Sequence, residues 1–405
     1  MKQQYNENNI PKHWQVKKLG EVCQVLDNLR KPINSAERQQ RIAGKRQSEL
    51  FPYFGATGQV GWIDNYMTDG QYILIGEDGA PFLDIYKDKA YRISGKTWVN
   101  NHAHILKGKE NVISDDFALY YLNSINYTDF VNGTTRLKLT KSSLIDIPVV
   151  LPPLSEQLTI VSKIEELLSD LENGKQQLLI AQQQLKVYRQ SLLKAAFEGK
   201  LTKNKGKWEN LKLGDVANAV DPQPSHRTPP ISVEGIPFVS IKDLDSKTDK
   251  IDLNNARKVS NEVLKEHLER YKLETGDFVI GKIGTIGKPV RIALPQNYTL
   301  SANVVLIQPR KVDATYLYYF FQSSIIQKAF TAGMKATTQA AFGIQKVREL
   351  RIELPTILEQ QHIVDELESK LTVCDKIEET ISQSLLQAES LKQSILKMAF
   401  EGRLV

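Results

Sequence analysis

"SLLKAAFEGKL" fills residues 191–201 and "SILKMAFEGRL" fills residues 394–404, with eight of the eleven positions identical. The match extends well upstream. Leu151-Pro152 followed by Glu156-Gln157 returns as Leu354-Pro355 followed by Glu359-Gln360, an offset of 203 that also carries Thr134-Thr135 onto Thr337-Thr338. Nearer the start, "WQVKKLGEV" at 14–22 returns as "WENLKLGDV" at 208–216, now with an offset of 194. Internal self-similarity at this scale decides the architecture before any local signal. The 405-residue chain is a tandem duplication: a variable globular half and then a constant helix, twice.

The constant part opens with Pro152-Pro153, which suit the approach to a helix but not its interior. Ser155 is the expected N-cap. Ile164, Leu171, Leu178, Leu185 and Leu192 then recur every seven residues, and Leu167, Ala181, Tyr188 and Ala195 lie three further on, with Gly174 breaking that row. This is a narrow seam rather than a broad core face. In the second copy the seam reads Leu367, Ile377, Ile381, Leu391, Ile395 and Met398, and Gly199 and Gly402 act as stops. Each helix, at roughly 40 residues and 1.5 Å per residue, runs about 60 Å. Two such seams in one chain are expected to pair with each other, antiparallel.

The globular halves mix strand and helix signals. "GQYILIGEDG" at 70–79 and "TWVNNHAHILKG" at 97–108 read as strands, with turns around Gly55, Gly58 and Gly61, and "DFALYYLNSI" at 116–125 reads as a helix. In the second half "GDFVIGKIGTIGKPVRI" at 276–292 and "LSANVVLIQP" at 300–309 play the strand parts, and "ATYLYYFFQSSIIQKAF" at 314–330 the helix. The expected fold is α+β: two globular domains separated by two long helices that form an intramolecular antiparallel coiled coil, with a pseudo-twofold internal repeat. The boundaries fall at 1–150 for the first domain, 151–200 for the first helical region, 201–353 for the second domain and 354–405 for the second helical region.

Composition narrows the function. Hydrophobic residues make up 41% and charged residues 25%, as in an ordinary globular protein, and the polar start "MKQQYNENNIPKHW" is no signal peptide, so a cytoplasmic location is expected. Two distant cysteines, Cys23 and Cys374, exclude a disulfide framework or a four-cysteine zinc site. A net charge of +6 permits nucleic-acid binding without requiring it.

No catalytic constellation emerges. "GKIGTIGK" at 281–288 departs from a phosphate-binding loop, with Lys282 at the first glycine site and Pro289 at the last, and reads as Gly-rich turns between strands. "DPQP" at 221–224 is similar to the loop of amino-methyltransferases but lacks the aromatic platform for a flipped base. "ESK" at 368–370, reminiscent of the end of a nuclease motif, lies within the second long helix. His102 and His104 are two apart on an expected strand and share a face, but no third metal ligand accompanies them, so they read as a strand-surface pair.

The arrangement resembles the specificity (S) subunit of type I restriction-modification systems over essentially the whole chain. The marks are "WQVKKLGEV" and "WENLKLGDV" opening each half, "GTTRLKL" and "ATTQAAF" ahead of each Leu-Pro-x-x-x-Glu-Gln, and "LLKAAFEGKL" and "ILKMAFEGRL" closing them. The resemblance implies a non-enzymatic protein that binds double-stranded DNA and brings two methylation subunits, and restriction subunits in the full complex, to a bipartite site. Each domain reads one half-site and the helices fix the spacing. No cofactor is implied for this chain; S-adenosylmethionine belongs to the methylation subunits, and ATP with Mg to the restriction subunits. No metal or catalytic residue is implied either.

Base reading needs donors and acceptors on loops. The candidate DNA-binding residues of the first half are Tyr53, Gly55, Thr57, Gly58, Glu77, Asp78, Gly79, Lys96, Thr97, Asn101, His102, Thr135, Arg136 and Lys138. Those of the second are His226, Arg227, Lys242, Lys282, Thr285, Lys288, Ser301, Asn303, Thr338 and Gln339. The basic stretch "GKLTKNKGKW" at 199–208 reads as a linker between halves. The rival reading is a coiled-coil interaction scaffold that does not read DNA sequence, which salt-sensitive, sequence-specific binding excludes.

Overall fold

The computed structural model describes residues 10–202, 207–223, 225, 227–246, 248–282, 287–335 and 342–405. They form two compact units, residues up to 179 together with 381–405, and residues 180–380. Each unit therefore takes one globular half, the start of the helix that follows it, and the end of the other repeat's helix.

In the first unit β1 (Gln15–Lys18) leads into the one-turn α1 (Leu19–Val22) and β2 (Cys23–Val25). Next come α2 (Ser35–Ile42), the hairpin β3 (Phe51–Gly55) and β4 (Gly58–Ile63), then β5 (Thr68–Gly76), β6 (Ala90–Val99) and β7 (Ala103–Gly108). Helices α3 (Asp115–Ser124) and α4 (Lys141–Ile145) and strand β8 (Pro148–Leu151) precede the long α5 (Leu154–Phe197). One six-stranded sheet runs β2-β7-β5-β6-β3-β4, and β1 pairs separately with β8. The "TWVNNHAHILKG" stretch is thus two antiparallel strands around a turn, so His102 sits in the turn and only His104 on a strand.

The second unit repeats the opening as β9 (Glu209–Lys212), α6 (Leu213–Val216) and β10 (Ala217–Val220). It continues through β11 (Ile236–Val239), β12 (Leu244–Asp245), β13 (Lys250–Ile251), β14 (Arg257–Val259) and α7 (Asn261–Arg270). Strands β15 (Phe278–Gly281), β16 (Pro289–Arg291), β17 (Thr299–Leu300) and β18 (Val304–Pro309) follow. The rest is α8 (Ala314–Gln322), α9 (Ser324–Lys335), α10 (Ile344–Glu349), β19 (Arg351–Leu354) and α11 (Ile357–Phe400). Its sheets run β10-β18-β15-β16 and β14-β11-β17, and β9 pairs with β19 as β1 does with β8. The expected single helix over 314–330 is broken at Ser323, whose hydroxyl donates back to the Phe320 carbonyl at 2.7 Å.

Repeated sequence is repeated contact. Trp14 Nε1 donates to Glu156 at 3.0 Å, and Trp208 Nε1 donates to Glu359 at 3.1 Å. Gln157 accepts from the Ser114 amide at 2.9 Å and donates to the Pro152 carbonyl at 3.0 Å. Gln360 does the same with the Asp313 amide and the Pro355 carbonyl, both at 2.8 Å. The Glu-Gln pair of each motif therefore ties down the domain's opening tryptophan and the residue that caps α3 or α8. Gln157 is fully buried. Removing it in Gln157→Ala strands the Ser114 amide and the Pro152 and Val112 carbonyls, the last bonded at 2.9 Å, which costs about 2 kcal/mol. Urea unfolding followed by circular dichroism checks this, and an unchanged midpoint refutes it.

Corrections to the helices are small and physical. The Gln157 amide bonds the Pro153 carbonyl, so α5 begins at Leu154 with Pro153 as its cap instead of Ser155. Both helices end as expected, since Gly199 and Gly402 hold φ of 65° and 66°. Lys200 and Arg403 then bond five residues back to Ala195 and Met398, the Schellman arrangement. In the second helix the buried row is Leu367, Cys374, Ile381, Ala388 and Ile395, whereas Ile377 and Leu391 are exposed at 44% and 48%. Offset by 203, this row falls on Ile164, Leu171, Leu178, Leu185 and Leu192 of the first helix.

Within the first unit Lys175 pairs with Glu389 at 2.6 Å, and Ile160, Val161 and Ile164 share a core cluster with Leu396, Ala399 and Phe400. The two helix segments there run in opposite directions. In the second unit Arg189 meets Asp375 at 2.7 Å and Glu378 at 3.0 Å, while Leu193, Ala196 and Phe197 join Ile363, Val364 and Leu367 in one core. Phe400 presents its edge to Phe117 and Tyr121, and Phe197 to Tyr316 and Phe320, all at 5.0–5.3 Å between ring centroids. The twice-written Ala-Phe-Glu-Gly ending therefore closes the core of the opposite repeat's domain. No helix among the described residues is long and apolar enough to cross a membrane.

Candidate nucleic-acid interface

The ends of β5 and β7 come together in the first unit because the two strands are antiparallel neighbours. Just past them the Glu77 amide donates to the His102 carbonyl at 2.7 Å, and the Glu77 carbonyl accepts from the Leu139 amide at 2.7 Å. That frame draws the loop before Leu139 against the strand ends. Arg136 then reaches Asp78 at 2.8 Å, Lys138 reaches Glu77 at 3.0 Å, and His102 Nδ1 lies 2.7 Å from Asp78. Seven of the sequence candidates thus form one loop cluster: Glu77, Asp78, Gly79, Asn101, His102, Arg136 and Lys138. Thr135 is exposed on the same loop.

Beneath it lies a second layer that sequence reasoning missed. Arg30 bonds Glu77, lies 3.3 Å from Asp27, and donates to the Asn101 and Ala103 carbonyls at 3.3 and 3.2 Å. His104, fully buried, holds Asp27 through Nδ1 at 2.8 Å and the Leu139 carbonyl through Nε2 at 2.9 Å. Burial works to raise the Asp27 carboxyl, but the His104 bond and the His104 and Arg30 charges outweigh it and hold the group below its ordinary range. Glu77 behaves alike: burial opposes, and the bonds from Arg30 and Lys138 win and lower it. The two histidines are therefore not a surface pair, because each has its own carboxylate partner. Among the described residues no group of three or more His, Cys, Asp or Glu is arranged to hold a metal.

The second unit builds the same frame with the opposite charge. The Lys282 amide donates to the Asn303 carbonyl at 2.9 Å, and the Lys282 carbonyl accepts from the Phe342 amide at 3.1 Å. Lys282 stands where Glu77 stands, and its ammonium pairs with Asp221 at 3.2 Å. Asp221 is the repeat equivalent of Asp27 at the offset of 194. The "DPQP" stretch thus supplies a partner to Lys282: the Asp221 carboxylate accepts from the Gln223 amide at 3.2 Å, and Gln223 bonds the Arg227 carbonyl. Extending the offset five residues past "WQVKKLGEV" would have revealed the Asp27–Asp221 correspondence.

Other candidates are placed differently. Tyr53, Thr97 and Ser301 are 4%, 1% and 4% exposed, so the surface role expected of their hydroxyls is corrected: Tyr53 bonds the Ile33 carbonyl at 3.4 Å, and Thr97 pairs with Thr68 at 2.6 Å. Gly55, Thr57 and Gly58 form the β3–β4 turn, where Thr57 is exposed and Gly55 buried. Lys96 lies 4.8 Å over the Tyr66 ring. Lys242, Lys288 and Asn303 are exposed. His226, Thr285, Thr338 and Gln339 lie outside the described residues, as does much of the basic linker.

Two segments, 11–180 and 205–387, match the family model described as the type I restriction modification DNA specificity domain. A putative type I restriction enzyme specificity subunit of Haemophilus influenzae is 30% identical over 92% of this chain and 91% of its own length. The EcoDI specificity subunit of Escherichia coli is 24% identical over 98% of the chain and 89% of its own length. In fold, the chain is similar to the HsdS subunit of Thermoanaerobacter tengcongensis, with a TM-score of 0.58 at 17% identity over 97% of this chain and 98% of that one. It is also similar to a chain from a type I restriction-modification assembly, with a TM-score of 0.66 at 18% identity over 97% and 99%. The protein belongs to the type I restriction-modification DNA specificity family.

Proposed function

We propose that each unit reads one half of a bipartite DNA site, with the Glu77–Lys138 and Lys282–Asn303 loop clusters facing the bases. The observation that carries this is the doubled backbone frame, one copy within each matched family segment, holding Glu77 in the first unit and Lys282 in the second. Equivalent frames present readers in equivalent poses, and the exposed side chains beside them differ: Arg136 and Lys138 in the first unit donate to guanine, and Asn303 in the second matches adenine. The two halves of the target then differ in sequence.

The long helices pair as an antiparallel coiled coil that sets the spacer between the half-sites. Their repeated starts dock two methylation subunits, which carry S-adenosylmethionine. Restriction subunits, with ATP and Mg, join the full complex. The chain itself acts without catalysis.

Co-expression with its cognate methyltransferase subunit and sequencing of the host methylome tests the reading. A single split motif with N6-methyladenine in both halves and a fixed spacer is the expected outcome. A stable complex that writes no methylation overturns it in favour of a scaffold.

A further inference from the structure

We propose that α2 is a major-groove reading helix of the first unit, with Gln39 and Gln40 as its base-contacting residues. This rests on the DNA-reading function above and adds a device outside both loop clusters.

Residues 30–48 hold six basic residues against the single acid Glu37, in a chain whose total net charge is +6. Within that segment α2 starts at the Asn34 cap, whose side chain accepts from the Glu37 amide at 2.8 Å, and none of its residues is buried. Eight residues make a marginal helix in water. What holds it is arginine. Arg38 donates to the Val60 carbonyl at 3.1 Å and lies 5.0 Å over the Tyr53 ring. Arg41 lies 5.0 Å over the Trp98 ring and pairs with Asp64 at 2.6 Å.

These anchors set which face looks outward. At about 100° per residue Arg38 and Arg41 share one stripe, and the opposite stripe falls between Gln39 and Gln40, on the meridian of Ala36. Ala36, Gln39 and Gln40 are exposed. A small residue on the meridian permits close approach to a groove floor, and the flanking amides carry the donor–acceptor pair that matches the adenine major-groove edge. Just past the helix end Lys45 pairs with Asp64 at 2.7 Å and Arg46 with Glu49 at 3.5 Å, and both are exposed, so a backbone phosphate can reach either. The face carries no large apolar side chain, which sets it apart from a protein-docking surface. Among the described residues the second unit has no helix between β10 and β11. The two units thus share a loop frame but differ in this added reader.

The test is the methylome of the co-expressed complex carrying Gln39→Ala with Gln40→Ala, and separately Gln40→Arg. The alanine pair should relax one or more positions of one half-site and leave the spacer and the other half-site unchanged, and the arginine should move a preference from adenine toward guanine. If methylation falls too low to map, binding of the purified complex to duplexes substituted one base at a time decides. A position whose substitution costs wild type roughly 5- to 150-fold in affinity should cost the alanine variant nothing. An unchanged motif, or an unchanged pattern of base costs, overturns the assignment of α2. A wild-type complex that writes no split motif overturns the reading beneath it, and this inference with it.

Discussion

A Phe400→Ala variant is expected to lose about 3–5 kcal/mol, and to lose it in the domain at the other end of the chain. Phe400 is fully buried and presses its edge onto Phe117 and Tyr121. Its removal leaves a cavity among rings that belong to α3, not beside its own sequence neighbours. Hydrogen exchange should therefore rise across 115–151 and stay unchanged across 313–354. Phe197→Ala should give the reverse pattern, because Phe197 fills the equivalent place against Tyr316 and Phe320. A change confined to residues 381–405 in the first variant contradicts the account.

Arg30→Ala should cost about 3 kcal/mol, the lower end of the range for breaking a buried ion pair. Its guanidinium is the cation common to Asp27 and Glu77, whose side chains are only 11% and 13% exposed. Without it Asp27 keeps His104 and Glu77 keeps Lys138, while two carbonyls lose a donor. The pH dependence has a fixed sign. Both carboxyls titrate below their ordinary range in the folded protein, so their contribution is present at neutral pH and fades as pH falls below about 4. In Arg30→Ala the fade should be smaller and complete at higher pH, because part of what lowers both groups in the folded protein is gone. Thermal unfolding between pH 3 and 7 reads this, and parallel curves for wild type and variant contradict it.

The duplication was legible because repeats need no knowledge of packing. Strands, the α3 helix and the glycine stops followed from local signals that tertiary contacts did not override. The seam of the second helix was misjudged in part, since Cys374 and Ala388 are too small or unusual to stand out beside Ile377 and Leu391. Strict use of the 203 offset would have selected the buried pair. Among the candidate residues, loop positions flanking strand ends come together in one cluster, but Tyr53, Thr97 and Ser301 carry polar groups that the fold turns inward. Asp27 and Arg30 escaped, and His104 was read only as a surface neighbour of His102, because what joins the three is a strand pairing across some 75 residues, for which no short motif exists.

The closure of the first unit by Phe400 also orders events during synthesis. A chain emerging from the ribosome ordinarily completes its N-terminal domain first. Here the second unit has all its residues once position 380 is out, whereas the first still lacks Leu396, Ala399 and Phe400. The domain made first is finished last, and its unfilled edge stays open until Phe400 has emerged.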